Sequence, residues 1–564
     1  MNINAKTLHQ LEKQEQSIHI KKWIVTIASI LLCFIDQAKG SAYGGVYLVA
    51  INLTGFTIAA MILIHYQLRD FMKPAHLAWF LIFLLAFFHL KDLASIGTLY
   101  EKGQWITGAL NIWLFGHIAI TVFYYYFSRR KVPAIRWHFL GIWILMMLGM
   151  IHSRYDSLWP FWFLCMFGCF YLTDYTKDER ECVFDGLLNG IIISFFLIQG
   201  FGTFFRIFES IRYEGMYTNC NINALFYLMV QCAVLGKWYR FVILGKSIWF
   251  KICACVGNGI LIAYCALTIG RIAMAVMLLN TALLLFLLLF VDKKYRLSKI
   301  SLRFAGVVLA AIYSFPIVFS SVRYVPVHMA SPLLLGAQYT ARNTIENFEP
   351  KEERFISIEI FIKYFLGRLD QLLDAELLEE LKFSQLDINP FSPALTAKAS
   401  DAADPTDIPE PMGSGTTKED PLYDDAGRIN KFNIRVDIYK GYFMRLNFAG
   451  HEKKEVDLWI TKNHYFGHCH NFLLQMLYNF GWIPGILFGC MVLITIVYFF
   501  ARCVFFRDEH RQFFLCSLLL VTSFAGFGML ELDWELGQMP FTLFFVACYL
   551  LFQKKKKPKI QNIH

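Results

Sequence analysis

Long apolar runs recur along the chain, and they restrict its fold more than any other feature of the sequence. Most are near the ~20 residues that an α-helix needs to cross a bilayer. They cover residues 23–35, 44–66, 77–97, 105–127, 137–152, 158–173, 184–204, 222–236, 248–268, 272–291, 302–322, 471–500, 512–528 and 538–553. The sequence therefore predicts an all-α polytopic membrane protein with about 12–14 transmembrane helices, the lower count applying if short and crowded runs do not all cross.

The composition agrees with this class. Of the 564 residues, 57% are hydrophobic, 17% are aromatic and only 17% are charged. The net charge of +10 comes from Lys and Arg in short clusters between the apolar runs. We interpret these clusters as topology signals and as contacts to membrane lipids, with no nucleic acid as partner. Most of the 14 cysteines lie within apolar runs and no Cys-x-x-Cys pair recurs, which argues against a disulfide framework or a zinc site.

Basic clusters occupy every second loop, and this alternation predicts the orientation. Lys and Arg concentrate in cytoplasmic loops, so the alternation places both termini in the cytoplasm and the remaining loops outside. No small-residue cleavage motif follows the polar first 22 residues, so we expect the first run to remain as an uncleaved span. The clusters are Lys21 with Lys22, Arg69 with Lys73, Arg129 to Lys131, Lys177 with Arg180, Lys237 with Arg240 and Lys246, Lys293 to Lys299, Arg502 with Arg507 and Arg511, and Lys554 to Lys557.

These runs and loops predict three regions. Residues 1–322 form an N-terminal transmembrane bundle of about 11 helices, 323–468 form one large extracytoplasmic loop, and 469–564 form about three helices and a basic cytoplasmic tail. Within the loop, apolar residues at helical spacing from Glu352 to Leu381 predict amphipathic helices on the membrane face. Residues 389–427 are rich in Pro, Ser, Asp and Gly, which predicts a flexible acidic insertion.

A polar segment meets an apolar helix in the stretch HCHNFLLQMLYNFGWIPGILFG, residues 468–489. His468, His470 and Asn471 stand where the apolar run begins, so we expect their side chains to face the membrane interface. Glycines at spacing four, Gly481, Gly485 and Gly489, predict a small-residue stripe on which another helix packs closely. Two interpretations remain open here. Either Asn471 caps the helix and the histidines are hydrated interface residues, or the segment carries chemistry.

Arginines in the predicted outer loops favour the second interpretation, in which this side of the protein carries a chemical site. Arg212 precedes a helix that carries Asn219 and Asn221, Arg271 stands in a tight connection, and Arg435 lies in the basic stretch after the insertion. An arginine near hydrocarbon is costly unless it meets an anion or a carboxylate. For each arginine taken singly, a hydrated helix face is the alternative.

The order of these motifs resembles the O-antigen ligase and polymerase superfamily of bacterial membrane glycosyltransferases. The resemblance covers about residues 184–528 and rests on the order and shared membrane side of the motifs. Two departures stand out: members usually have Ser where this chain has Gly270, and the insertion 389–427 has no counterpart. The matching motifs are Arg212 with Gly215, Asn219 and Asn221, Gly270 with Arg271, Arg435 with Tyr439, Lys440, Gly450 and His451, and His470 with Asn471, Leu473, Leu474, Gly481 and Gly485.

The resemblance implies transfer of a glycan from an undecaprenyl-diphosphate carrier to a hydroxyl of an acceptor glycan or glycolipid on the extracytoplasmic face of the bacterial cytoplasmic membrane. Arginine matches phosphate oxygens with its fixed fork, and histidine is a competent base near neutrality. By this resemblance His470 is the catalytic base and no cofactor or metal is required. The diphosphate-binding residues are Arg212, Arg271 and Arg435, and the substrate-binding residues are Asn471, His468, Asn219, Asn221, Lys440 and His451.

Within this class, the sequence favours a polysaccharide polymerase over a ligase that transfers the chain to a different acceptor. The basic stretch Arg428 to Lys454 and the aromatic residues Tyr439, Tyr442, Phe443 and Trp459 suggest a surface for a growing glycan. Other polysaccharide export components are further expected partners. A lipid-linked glycan transporter or flippase is the alternative from another class, but its charges should line a path through the membrane, and the cytoplasmic halves of the predicted helices offer almost no polar residues.

Overall fold

The structure, a computed structural model, describes residues 5–33, 53–95, 99–129, 132–155, 157, 159–205, 208, 212–217, 220–294, 296–329, 357–370, 431–452, 458–461, 464–466, 468–506, 511–529 and 539–554. The chain divides into two compact units. The helical unit comprises Met1–Phe355 with Gly441–His564, and the loop unit comprises Ile356–Lys440.

Helices make up most of the described structure. Seven of the described helical segments are long and apolar enough to cross a membrane, and five shorter helices are also apolar. The prediction of an all-α polytopic membrane protein is confirmed. The helices of the helical unit are α1 Ala5–Leu31, α2 Leu53–Leu63, α3 Pro74–Ser95, α4 Leu99–Arg129, α5 Trp137–Ile151, α6 Trp159–Leu172, α7 Lys177–Phe205, α8 Cys220–Ile243, α9 Ile248–Leu267, α10 Arg271–Phe286 with a π-helical extension Leu287–Val291, and α11 Leu297–Met329.

The large predicted loop contributes α12, Ile358–Asp370, and α13, Lys431–Met444, whose last residues belong to the helical unit. α12 falls inside the stretch predicted to be amphipathic, and its Phe361 is buried while Ile362 is exposed. A short antiparallel hairpin follows, β1 Leu458–Thr461 and β2 His464–Phe466, which the sequence did not predict. The insertion 389–427 lies outside the described residues.

The last apolar runs form five helices, and the first run is broken. Instead of one span over 471–500, the chain forms α14 Phe472–Phe480 and α15 Trp482–Val504, and these are followed by α16 Arg511–Gly528, α17 Met539–Ala547 and α18 Tyr549–Phe552. Gly481 separates α14 from α15 at φ +89°, in a region that favours glycine. The prediction of a single helix was wrong, because hydropathy indicates which residues are apolar but not where the chain reverses its direction.

α15 folds back along α14 as an antiparallel hairpin. A Cβ at Gly485 would lie 2.7 Å from the Cα of Leu477. A Cβ at Gly489, one turn later, would lie 2.8 Å from Cδ1 of Leu473. The predicted stripe therefore does permit close helix packing. Its partner is the preceding helix α14, and Gly481 is the turn and not part of the stripe.

Ion pairs join the helices at one end of the bundle. Asp185 of α7 is 4% exposed and pairs with Lys22 of α1 and Lys237 of α8. Arg240 of α8 also reaches it, with Nη1 2.8 Å from Asp185 Oδ1. The basic clusters read as topology signals thus also hold helices together. Further pairs at this end are Lys21 with Glu179, His65 with Glu179, Arg240 with Glu181, and Arg511 with Asp292.

We call this the basic end, and we call the opposite end of the bundle, at which the turn at Gly481 lies, the histidine end. α7, α8, α9 and α10 run between the two ends in alternating directions, since Asp185 meets Lys237 at the basic end and Tyr213 N–H donates to Leu267 O at the other, 2.9 Å apart. α16 is antiparallel to α10, because Arg511 pairs with Asp292 at the basic end and Gly526 packs on Val276 nearer the histidine end.

Neutral polar side chains are buried between the two ends. Gln231 Nε2 donates to Asn258 Oδ1 at 2.8 Å, and Asn258 Nδ2 donates to Thr281 Oγ1 at 3.1 Å. Nearby, Asn280 Nδ2 donates to Ser523 Oγ at 2.8 Å. These residues lie near the middle of their helices, so the expectation that the cytoplasmic halves offer almost no polar residues stays a prediction. These amides and hydroxyls bond to one another across helices, as is usual inside membrane bundles.

Candidate functional site

His470 and Asn471 directly precede α14. Asn471 has extended backbone and its Oδ1 accepts from Leu474 N–H at 3.0 Å, so the helix-capping interpretation of Asn471 is confirmed. His470 adopts a left-handed conformation, φ +53°, which is uncommon outside glycine. The rings of His470 and His468 are nearly perpendicular, with centroids 4.2 Å apart and planes at 84°.

Cys469 separates the two histidines. Its Sγ donates to Asn471 O at 3.0 Å, and its backbone N–H donates to Gln475 Oε1 at 2.9 Å. Burial raises the pKa of the Cys469 thiol to about 12. The thiol therefore stays protonated near neutral pH.

The start of α14 lies deep along the helix hairpin. α14 has 9 residues, so at ~1.5 Å per residue its first residue is about 14 Å from the turn at Gly481. Leu473 correspondingly lies beside Gly489, in the second turn of α15. The interpretation of His470 as the outer mouth of a membrane-crossing helix is thus corrected, because α14 is a half-helix that runs back toward the histidine end.

The end of α16 meets the start of α14. Asn471 Nδ2 donates to Met529 O at 2.9 Å. A Cβ at Gly528 would lie 2.8 Å from Cδ1 of Phe472, so a larger residue there would press against the Phe472 ring. Asn471 therefore has two positioning roles, since its Oδ1 caps α14 and its Nδ2 joins α14 to α16.

Arg212 is held at the turn between α9 and α10. Its Nε donates to Thr268 O at 2.9 Å, and its Nη2 donates to Asn221 Oδ1 at 2.5 Å. The structure thus brings together Arg212, the predicted substrate residue Asn221 at the start of α8, and the turn that precedes Arg271. Both of these acceptors are neutral oxygens, and together they orient the guanidinium.

Arg271 is the first residue of α10, and the backbone before it is tightly packed. A Cβ at Gly270 would lie 2.7 Å from Ala224 Cβ and 2.9 Å from Thr268 Oγ1. A serine at this position would require α8 or the turn to shift, which gives a physical reason for the glycine. Ile269 is left-handed at φ +53°, a strained conformation for a β-branched residue.

Contacts through α16 place Arg271 and Asn471 at similar depths. Val276 packs on Gly526, and because α10 and α16 are antiparallel, Arg271 and Met529 extend beyond this contact in the same direction. At ~1.5 Å per residue, Arg271 extends about 7.5 Å and Met529 about 4.5 Å. Since Asn471 bonds to Met529 O, both residues lie within about one helical turn of the same depth.

Three helices therefore begin at this depth. α8 and α10 start there and run toward the basic end, whereas α14 starts there and runs toward the histidine end. The N-termini of α8 and α10 approach this depth from the side of the basic end, and the N-terminus of α14 approaches it from the side of the histidine end. Helix N-termini carry partial positive charge and unsatisfied N–H groups, so this arrangement favours an anion. Discontinuous helices in transporters present N-termini to anionic groups in the same way.

His451 lies apart from His470. Its ring stacks on Tyr478, with centroids 3.7 Å apart and planes at 2°, and its Nδ1 is 2.8 Å from Tyr478 O. It therefore occupies the far end of α14, about the length of that helix from His470. Tyr442 is fully buried against Tyr478, so it does not belong to the predicted glycan surface, whereas Phe443 is 62% exposed.

The remaining predicted residues are placed as follows. Arg435 and Lys440 belong to α13 in the loop unit, and Lys440 is exposed there. Asn219 lies outside the described residues, as do the acidic residues 531–535 between α16 and α17. The backbone of Trp459 is in β1.

Arg323 is not among the predicted site residues, because in the sequence it stands only at the start of the large predicted loop. It lies in α11, is fully buried, donates to Phe208 O and covers the Phe208 ring at 4.5 Å. Phe208 precedes Arg212 by four residues, so Arg323 supports the segment that leads to the site. An arginine at the end of an apolar run was the available signal.

Comparison of the chain with models of known protein families, with curated proteins and with solved structures yields no match.

Proposed function

We propose that the protein is a membrane glycosyltransferase that moves a glycan from a polyprenyl-diphosphate carrier, of the undecaprenyl type, to a hydroxyl of an acceptor sugar. The histidine end faces the extracytoplasmic side of a bacterial cytoplasmic membrane, and both termini are cytoplasmic. This orientation follows the positive-inside rule, since the described basic clusters gather at the opposite end.

One observation carries the proposal: Arg212, Arg271 and the N-termini of α8, α10 and α14 share one depth with His470. The leaving group of the reaction is a diphosphate, which gains negative charge as the bond to the sugar breaks. Arginine forks and helix N-termini stabilise that charge without a divalent ion, so we propose a metal-independent reaction.

His470 supplies the second chemical requirement. In the proposed step its imidazole accepts the proton of the acceptor hydroxyl, the hydroxyl oxygen bonds to the anomeric carbon, and the bond from that carbon to the diphosphate oxygen breaks. The carrier diphosphate leaves with the bonding electron pair. Asn471 is a positioning residue, because it caps α14 and fixes the backbone from which His470 projects. The His468 ring packs nearly perpendicular to the His470 ring, and His468 is proposed as a sugar contact.

We propose polymerisation of repeat units as the reaction, with ligation to a different acceptor as the alternative. The exposed Phe443 and Lys440 near the end of α13 favour a surface for a growing glycan. Purified protein supplied only with its lipid-diphosphate repeat unit is expected to form a ladder of longer lipid-linked products, resolved by gel electrophoresis. Product that forms only after a separate acceptor glycolipid is added would establish the ligase instead.

A transporter of lipid-linked glycans remains the competing class. The buried polar network between the two ends is neutral, and its members bond to one another, which favours a structural role. In proteoliposomes the same ladder assay separates the classes. A transporter moves labelled lipid-linked glycan between leaflets and leaves its length unchanged.

The proposed orientation has its own test. Single cysteines placed at Arg212, Arg271 and His470 in a Cys-free variant should react with an impermeant thiol reagent added outside intact cells, whereas one placed at exposed Lys294 should react only after permeabilisation. Because His470 lies about 14 Å below the turn at Gly481, its labelling should be slower than that of a cysteine at Phe443. Labelling at Lys294 from outside would reverse the orientation.

A further inference from the structure

A charged pocket lies at the basic end, far from the proposed site. It is formed between a 3-10 helix, Leu68–Phe71, and the last turns of α4. Its lining includes Arg69, Asp70, Lys73, Tyr124 and Ser128. The Nζ atom of Lys73 lies 5.4 Å from the centre of the Tyr124 ring, so the ring holds the ammonium at the pocket wall.

Contacts of the surrounding segments fix the pocket at this end. His65, just before the 3-10 helix, has Nδ1 2.8 Å from Glu179 Oε2, and Glu179 also pairs with Lys21. On the other wall, Tyr126 of α4 donates to Leu172 O, at the end of α6. The pocket therefore lies level with the ion pairs, where the headgroups of one bilayer leaflet are expected.

The charges of the lining select the kind of anion. Arg69 and Lys73 are cationic at neutral pH and Asp70 is anionic, so these three leave one net positive charge. One carboxylate oxygen of Asp70, Oδ2, accepts from Gln67 N–H at 2.9 Å, which commits it to the 3-10 helix. A singly charged phosphodiester matches this balance, and the hydroxyls of Tyr124 and Ser128 supply further donors.

Apolar side chains beside the pocket indicate that the ligand is a lipid. Met72 directly precedes Lys73 and is 78% exposed, and Phe123 and Phe127 precede Tyr124 and Ser128 and are 70% and 74% exposed. The two Phe rings stack at 5.8 Å along the outer face of α4. A free phosphate ion would not use this surface, whereas an acyl chain would lie against it.

From these observations we propose that the pocket binds the phosphodiester headgroup of an anionic membrane phospholipid. Arg69 and Lys73 hold the phosphate oxygens, and an acyl chain lies along Phe123 and Phe127. Basic pockets between transmembrane helices are suited to such headgroups. The site is independent of the glycan-transfer site at the histidine end.

Native mass spectrometry of the full-length protein in neutral detergent tests the proposal, with melting temperature as a second readout. The protein is titrated separately with dioleoylphosphatidylglycerol, dioleoylphosphatidylcholine and sodium phosphate. Arg69→Gln with Lys73→Gln should weaken phosphatidylglycerol binding about 30-fold. The matched control, Lys294→Gln with Lys299→Gln, removes two exposed cations elsewhere at the basic end and should leave the affinity unchanged.

Three results would overturn the proposal. Equal affinity for both phospholipids would show that the net charge of the lipid does not decide binding. Equal losses of affinity in the pocket and control variants would show that the lipid is attracted by the basic end in general and not by the pocket. Displacement of phosphatidylglycerol by millimolar phosphate would assign the pocket to the free ion. If the double variant melts lower without lipid, the single variant Lys73→Gln should still bind phosphatidylglycerol about fivefold more weakly.

Discussion

The two ends of the helical bundle both carry arginines and lysines, but they use them differently. At the basic end, Asp185 and Asp292 are the chain's own counterions, and each joins helices that are distant in sequence. At the histidine end, Arg212 is oriented by the carbonyl oxygen of Thr268 and the amide oxygen of Asn221. Two left-handed residues also belong to this end, Ile269 next to Thr268 and His470 before α14.

This difference indicates that the charged residues of the basic end serve the structure, whereas those of the histidine end serve the proposed chemistry. Ion pairs with low exposure fix the relative positions of helices, and losing one partner leaves a buried charge. Hydrogen bonds to neutral oxygens, such as those of Arg212, fix the direction of a guanidinium. Backbone strain next to such groups is typical of functional sites. We therefore expect substitutions at the basic end to change stability, and substitutions at the histidine end to change activity.

The largest effect is expected for His470→Ala. Loss of a general base lowers the rate by as much as about 10⁴-fold, equivalent to about 5.5 kcal/mol. Binding of the diphosphate donor should be largely kept, because the arginines and helix starts remain. Single-turnover transfer and donor binding, measured on the same preparation, separate the two quantities.

Asn471→Ala is the informative companion to that variant. It removes the cap of α14 and the bond to Met529 O, so it should lower the melting temperature as well as the rate. His470→Ala should leave the melting temperature within a few degrees of the parent. If His470→Ala destabilises the protein as much as Asn471→Ala does, the histidine is structural and the assignment as base is wrong.

A second large effect is expected at the basic end. Asp185→Asn keeps the shape of the side chain but removes the charge that faces Lys22, Lys237 and Arg240, so the protein should lose about 3–5 kcal/mol of stability. Thermal unfolding in detergent measures this loss. The specific rate of the protein that remains folded should be unchanged.

Glu452→Gln provides the matched control for Asp185→Asn. Glu452 pairs with Arg154 at 3.1 Å, but the side chains are 41% and 49% exposed, so the pair contributes at most about 1 kcal/mol. Similar melting temperatures for both variants would show that burial does not distinguish the ion pairs. The contrast between the two ends would then lose its physical basis.

The sequence predicted many helices but not how they meet. The run 248–268 matches Ile248–Leu267 closely, since an uninterrupted apolar stretch has few alternatives in a membrane. The break at Gly481 was missed although Pro484, in the first turn of α15, is a known helix-start signal. Hydropathy is uniform across that turn and conceals it.

For the site, the sequence singled out residues but could not position them. Arg212 and Asn221 are close in sequence and do contact one another, whereas His451 and His470 are also close and lie at opposite ends of α14. Helix direction decides such cases, and it depends on packing across the bundle. The counterion role of Asp185 was missed for a similar reason, because its partner Lys22 is more than 160 residues away.

The smallest of the expected effects, those of arginine-to-lysine variants, test most directly whether the two ends use arginine differently. Arg212→Lys and Arg271→Lys keep the positive charge and remove the planar fork, so each should lower transfer about 100-fold without a large change in stability. The control at the other end is Arg240→Lys, whose pair with Asp185 needs charge more than geometry, and its transfer rate should stay within about threefold of the parent.

Two measurements on these lysine variants decide whether the arginines act on diphosphate. The affinity for a carrier diphosphate should fall with the rate, since the same fork contacts both the bound and the departing group. Affinity for a carrier monophosphate should fall less, because fewer oxygens are held. Full activity in Arg212→Lys and Arg271→Lys would show that the histidine end requires only a positive charge at these positions and not the guanidinium fork. The two ends would then not differ in how they use arginine.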